Sequence, residues 1–170
     1  DRTDYVFTDL SPTLVARARE KFAAQPFIQC RTFDLERDAE PQGLENGTFD
    51  VVVAVNVIHA TADLERTLRL LRGLLAPGGM LVMLEVAGLE RWIDITFGLT
   101  EGWWRFTDAR LATGYPLLDR KAWLDLLETS GFVASAFPAL EDLSREALLV
   151  ARKPVKDVVA LAPGVWLVLG

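Results

Sequence analysis

The chain has 170 residues, a formal net charge of −6 and 51% hydrophobic residues. That length and apolar share suit one domain with a real core, with room for an extra fragment. The acidic balance, and the lack of a basic cluster interleaved with aromatics, argue against a nucleic-acid surface, and no apolar run reaches the ~20 residues that cross a bilayer.

Cys30 is the only cysteine and His59 the only histidine, which excludes an internal disulfide and a Cys/His zinc site. A reducing, cytoplasmic setting fits. The chain opens Asp1-Arg2-Thr3-Asp4, without a basic-then-apolar leader. It has no initiator Met and starts close to a strand, so it reads as a segment of a longer polypeptide.

In chain order, Tyr5–Thr8 predicts a short strand, followed at once by Asp9. Ser11-Pro12 is a helix start, with Ser as N-cap and Pro at the first helical position. Leu14, Ala18 and Phe22 share a face of that helix, which should stop before Pro26. Phe27–Phe33 predicts a second strand, again followed by an acid, Asp34. Cys30 within it reads as an inert core residue. Residues 35–49, with Pro41, Gly43 and Gly47, predict a loop or loose helix.

Val51–Val55 is the centre of the pattern. Five small or β-branched apolar residues without a polar break predict a strand buried on both faces, as in a parallel sheet. Polarity returns at Asn56 and His59, at the carboxyl end of that strand, where open α/β sheets bind ligands. A helix over about 62–75 follows, with Leu64, Leu68, Leu71 and Leu75 as its apolar stripe. Pro77-Gly78-Gly79 predicts a tight turn, and Met80–Leu84 a further buried strand ending at Glu85. Strands alternating with helices imply an α/β, doubly wound, mostly parallel sheet with right-handed crossovers.

Residues 86–118 break the alternation. The segment carries Trp92, Phe97, Trp103, Trp104, Phe106 and Tyr115, too aromatic for a linker, so it must pack on something. Asp119 then caps a helix containing Trp123, Leu126 and Leu127, ended by Gly131. Phe132–Phe137 and Glu146–Arg152 predict two more strands. Past Pro154 comes a linker-like passage, and then Val165–Leu169 as a new apolar strand.

These landmarks together resemble the C-methyltransferase domain of polyketide synthases, a class I S-adenosylmethionine-dependent methyltransferase. The matching pieces are residues 5–12 (Tyr-Val-Phe-Thr-Asp-Leu-Ser-Pro), Phe33-Asp-Leu-Glu36, residues 49–61 with Asn-Val-Ile-His-Ala-Thr at their end, residues 74–79, Phe97 to Trp104 and the Pro116-Leu-Leu stretch. Asn-Val-Ile-His-Ala-Thr followed by Gly-Trp-Trp is the more specific part; Pro-Gly-Gly recurs in many methyltransferases. The resemblance covers roughly residues 5–152. It implies a Rossmann-like sheet of the class I methyltransferase type, truncated at the N-terminus. Residues 1–153 would be a partial methyltransferase domain, and 154–170 a linker and the first strand of a following ketoreductase-type region.

The family's glycine-rich loop, expected before residue 1, is absent. The strand that leads into it would sit between the 5–8 and 50–55 strands. Without it two inner edges would lie unpaired, which is costly when buried. Residues 165–169 are a candidate substitute for that strand, although a neighbouring-domain fragment is the preferred expectation.

The resemblance also assigns roles. Asp9 would accept the ribose hydroxyls of S-adenosylmethionine, Asp34 with Leu35 beside it would meet the adenine edge, and Asn56 would reach the cofactor's amino-acid part. The residues alone equally allow a helix-flanking acid, a turn residue and an Asn that satisfies its own loop. His59 would be the base that removes a proton from a carbon flanked by two carbonyls, with Glu85 holding the other ring nitrogen. The plain alternative is a histidine capping the next helix and a solvated Glu85. Trp103, Trp104 and Phe106 would line an acyl tunnel, or else simply pack.

The function implied is methyl transfer from S-adenosylmethionine to the α carbon of a β-ketoacyl chain on an acyl carrier protein. Neighbouring synthase domains are further partners; nucleic acid, membrane and metal are not expected. The competing expectation is a non-catalytic pseudo-methyltransferase that serves as a structural module of a megasynthase. A dinucleotide-binding reductase is remote, since no Gly-x-Gly-x-x-Gly loop exists here.

Overall fold

The computed structural model of the chain describes residues 3–88, 91–136, 145–155 and 165–169. The strands are β1 Asp4–Asp9, β2 Ile28–Thr32, β3 Phe49–Val55, β4 Leu75–Val86, β5 Val133–Ala136, β6 Glu146–Arg152 and β7 Val165–Leu169. The α-helices are α1 Pro12–Lys21, α2 Leu64–Leu74, α3 Arg91–Thr96 and α4 Arg120–Thr129. Among the described residues the strands form one sheet in the order β2-β1-β7-β3-β4-β6-β5. The neighbours from β2 to β4 run parallel, and β6 lies antiparallel to both β4 and β5. This is a Rossmann-like, mostly parallel α/β sheet.

The slot expected to stand empty is filled. β7 pairs in parallel with β1 on one side, Tyr5 opposite Trp166, and with β3 on the other, Val52 opposite Leu167. The substitute-strand alternative is therefore the arrangement seen, and both inner edges have backbone partners. The 154–164 passage that was expected to be a linker lies, from residue 156 on, outside the described residues.

Local chemistry explains the helices. The Ser11 hydroxyl accepts from the Leu14 N–H, and Pro12 occupies the first position of α1. Asp63 caps α2 by accepting from Arg66 N at 2.9 Å, and Asp119 caps α4 by accepting from Ala122 N at 2.7 Å. Along α2, Leu64, Leu68, Leu71 and Leu74 are buried against the core, each worth about 2 kcal/mol. Helix α4 adds Trp123 and Leu127 to the same core.

Two boundaries differ from expectation. Residues 58–60 form a separate 3₁₀ turn, and the Asp63 cap starts α2 at Leu64, the first residue of its apolar stripe, and not at about residue 62. Pro77-Gly78-Gly79 is not a free-standing turn but part of β4, with a register irregularity between Phe49 and Val51 on the partner strand. Gly79 is required there: a β-carbon would meet the backbone oxygens of Ala76, Asp50 and Phe49, each at 3.0 Å.

Strand periodicity sets the key burial. Leu81, Met83 and Glu85 alternate onto one face of β4, and all three have no exposed surface. Across β6 they face Ala151, Leu149 and Ala147, also fully buried. Glu85 thus occupies a core position, continuing past the point where the strand was expected to end.

Candidate active site

A fully buried carboxylate must be matched by donors. Glu85 Oε1 accepts from the backbone N–H groups of Ile58 (2.9 Å) and Val57 (3.3 Å), and its Oε2 lies 2.5 Å from Nδ1 of His59. An acceptor-only carboxylate at this position favours the proton on Nδ1 and leaves Nε2 as a basic nitrogen. The His59 side chain is 11% exposed, so the ring is sheltered yet reachable.

Asn56 makes this meeting possible. It is the only non-glycine residue with positive φ (+48°) among the described residues, a conformation Asn tolerates better than most. Its N–H donates to Leu84 O, and its Oδ1 accepts from Val86 N at 2.9 Å. The side-chain carbonyl thus continues the β3–β4 ladder where the backbone peels away. The sharp turn then swings Val57 and Ile58 round so that their N–H groups meet Glu85. Of the two roles open to Asn56, the local one is what its oxygen does here.

Two cavities meet at this rim. One, of about 120 Å³, is lined by Asp9 and Leu10 at the end of β1, Asp34, Leu35 and Glu36 after β2, and Ala60 and Thr61 beyond β3. The Asp9 carboxylate is fixed by accepting from Ser11 N at 2.7 Å, and Asp34 by accepting from Glu36 N at 2.9 Å. Each uses one oxygen, leaving the second without a partner among the described residues. Leu35 is buried and forms part of the floor. The second cavity, of about 500 Å³, holds His59 and Asn56 together with Trp92, Phe97 and Trp103. Leu10, Ala60 and Arg105 line both.

The aromatic segment divides. Trp103 meets the His59 ring edge-on, with centroids 5.9 Å apart, and stacks on Phe97. Its buried Nε1–H has no acceptor among the described residues. Trp104 instead donates to Gly98 O and is half exposed, and Phe106 packs under the Arg110 guanidinium; neither lines the His59 cavity. Sequence reasoning grouped the three because aromaticity does not tell which ring faces a cavity.

Four charged residues of the site went unforeseen. Glu36 accepts from Ala62 N (2.7 Å) and from Arg105 (2.8 Å), joining the loop after β2 to the aromatic segment. Arg110 is 2% exposed and bonds Asp108 through Nε and Nη2. Burial pushes the Asp108 carboxyl up, but hydrogen bonds from Arg110 and from the Leu64 N–H, with the Arg110 charge, outweigh that and hold it below the usual range. The only hint in the sequence is an Asp-x-Arg within an otherwise aromatic stretch.

Residues 1–81 match a family model described as "Methyltransferase domain". Polyketide synthase ThaQ of Burkholderia thailandensis is 40% identical over 138 residues, 80% of this chain and 7% of that protein. A crystal structure of the CurJ carbon methyltransferase superposes with TM-score 0.83 at 42% identity, covering 89% of this chain and 42% of the other. The trans-methyltransferase CalH, solved in complex with SAH, gives TM-score 0.76 at 34% identity over 88% of this chain and 42% of CalH. The chain therefore spans a small part of the synthase and about two fifths of each solved domain. On these likenesses the chain belongs to the C-methyltransferase domain family of polyketide synthases.

Proposed function

We propose that this chain carries the base and the adenosine-side residues of a C-methyltransferase that acts on a β-ketoacyl chain held by an acyl carrier protein. The observation that supports this reading is the 2.5 Å contact between His59 Nδ1 and a buried Glu85, at a cavity that shares Ala60 with the Asp9–Asp34 pocket. The donor set of that smaller pocket suits an adenosyl group: two strand-end carboxylates for hydroxyl and amine donors, and an apolar floor of Phe33 and Leu35. S-adenosylmethionine, when bound, would supply an electrophilic methyl group.

The residues then divide the work. Glu85 keeps the His59 proton on Nδ1, so Nε2 takes the proton from the carbon between the two carbonyls. Glu85 also offsets the charge of the imidazolium that forms. Trp103 and Phe97 shield the ring from water, and the unpartnered Trp103 N–H offers a donor to a carbonyl oxygen. Neighbouring synthase domains and the carrier protein would deliver the thioester to the 500 Å³ cavity.

The test is methyl transfer from S-adenosylmethionine to a β-ketoacyl thioester, read by mass spectrometry, with His59→Gln beside the native residue in the polypeptide that contains this chain. The variant should lose transfer while binding S-adenosylhomocysteine as before. Equal transfer by both would remove His59 as the base. No binding and no transfer by the native protein would leave a structural module.

A further inference from the structure

We propose that the Asp108–Arg110 pair is the positioning unit for His59, acting on its backbone carbonyl while Glu85 holds its ring. This rests on the reading of His59 as the base. The guanidinium has five N–H groups, and the structure gives all of them acceptors. Nη1 donates to His59 O at 2.7 Å and to Pro116 O at 3.3 Å. Nη2 donates to Thr61 O at 2.6 Å, to Ala62 O at 3.2 Å and to Asp108 Oδ2 at 2.9 Å, and Nε donates to Asp108 Oδ1 at 2.8 Å. Three of the four carbonyls belong to residues 59–62.

A buried arginine placed only to hold its own segment would bond to that segment. This one reaches across some fifty positions to the turn that carries the imidazole. Glu85 holds the Val57 and Ile58 N–H groups, Glu36 the Ala62 N–H and the Thr61 hydroxyl the Ile58 carbonyl, but none of these bonds touches the His59 carbonyl. The turn's 3₁₀ portion, Ile58–Ala60, has no side-chain cap, and the Asn56 turn before it must be held against a positive φ. Asp108 fixes the plane of the fork by its two-pronged pairing and also accepts from Leu64 N at the start of α2, so the unit is tied to a helix. His59 is thereby held at two points: ring by Glu85, carbonyl by Arg110. Glu85 sets which nitrogen carries the proton; Arg110 sets where the ring stands.

The single histidine makes the test direct. Nitrogen-15 NMR of the chain reads the His59 tautomer and the exchange rate of its Nδ1 proton without any assay of transfer. Arg110→Lys keeps the charge and the stem but loses the planar fork, and its one ammonium cannot serve Asp108 and the 59–62 carbonyls together. In a folded Arg110→Lys chain the Nδ1 proton should exchange about tenfold faster or more, with ring shifts moving toward the average of the two tautomers. Unchanged His59 signals in that folded chain would overturn the proposal. Should Arg110→Lys fail to fold, Asp108→Asn decides: it keeps the guanidinium but weakens the anchor of its plane, and a smaller change of the same sign is expected, with no change overturning the proposal. If the NMR change is seen in a polypeptide with no methyl transfer, the clamp stands and the proposed reaction falls.

Discussion

The Glu85 carboxylate is completely buried and its Oε2 lies 2.5 Å from His59 Nδ1, while its other oxygen accepts from the backbone of residues 57 and 58. One side chain therefore sets both the tautomer of the imidazole and the course of the loop that carries it. Glu85→Gln separates the two roles. Its carbonyl oxygen can still accept from Val57 and Ile58, but its amide then faces Nδ1 as a donor. His59 should switch to the tautomer protonated on Nε2, and transfer should fall by about 10⁴-fold, as when the carboxylate that orients an imidazole in serine hydrolases is neutralised. Circular dichroism should show a retained fold, and nitrogen-15 shifts should report the switch. Glu85→Leu should instead leave two buried N–H groups unpaired and cost about 2–4 kcal/mol in denaturant titrations.

The two strand-end carboxylates should act on ligand and not on fold. Asp9→Asn and Asp34→Asn keep an oxygen for the Ser11 and Glu36 N–H groups but lose the charge that a hydroxyl or amine would meet. Each should weaken binding of S-adenosylhomocysteine by about tenfold, from a charge-assisted hydrogen bond worth about 1.5–3 kcal/mol. An NMR titration, which reads weak as well as tight binding, measures this. Unchanged affinity in both would reassign the smaller cavity.

Acid should loosen the positioning pair. Asp108 has its carboxyl held below the usual carboxylate range by Arg110 and backbone donors. A folded-state pKa below the unfolded value of about 4 means the anion favours the folded chain. That stability is present above about pH 4 and is lost as the pH falls through the lowered value. Urea titrations across this window should show the native chain losing stability more steeply than Asp108→Asn, whose curve should start lower and run flatter.

Gly79→Ala should destabilise by about 1–3 kcal/mol, because the atoms in the way are backbone oxygens of Ala76, Asp50 and Phe49 that cannot rotate aside. Gly102→Ala, where nothing lies within 4 Å and φ is not positive, should leave the thermal midpoint nearly unmoved. The contrast tests whether the glycine after Gly78 is needed for space and not for a turn.

What could be read beforehand followed from local signals. Caps at Ser11 and Asp119 and the unbroken Val51–Val55 run are properties of a few adjacent residues, and they placed the elements around Asp9, His59 and Glu85. The His59–Glu85 pairing was legible because parallel neighbours put their carboxyl ends side by side. What stayed hidden depends on distant partners. Nothing near Arg110 in the chain announces that its acceptors lie at 59–62, and nothing in Trp104 or Phe106 tells that Trp103 alone faces the cavity. The place of residues 165–169 between β1 and β3 was equally a matter of topology, since an apolar strand of five residues pairs wherever an edge is open.

Arg105 stands on the wall between the two cavities and is held there by Glu36, which belongs to the smaller one. A guest that displaces this guanidinium must first break the ion pair, and a guest arriving afterwards finds that cost already met. Linkage makes the bias mutual: by whatever factor occupancy of one chamber changes affinity in the other, the reverse holds equally. Under the proposed reaction, donor and acceptor occupancy would be coupled through this one ion pair with neither order imposed, and removing either charge should make the two chambers fill independently.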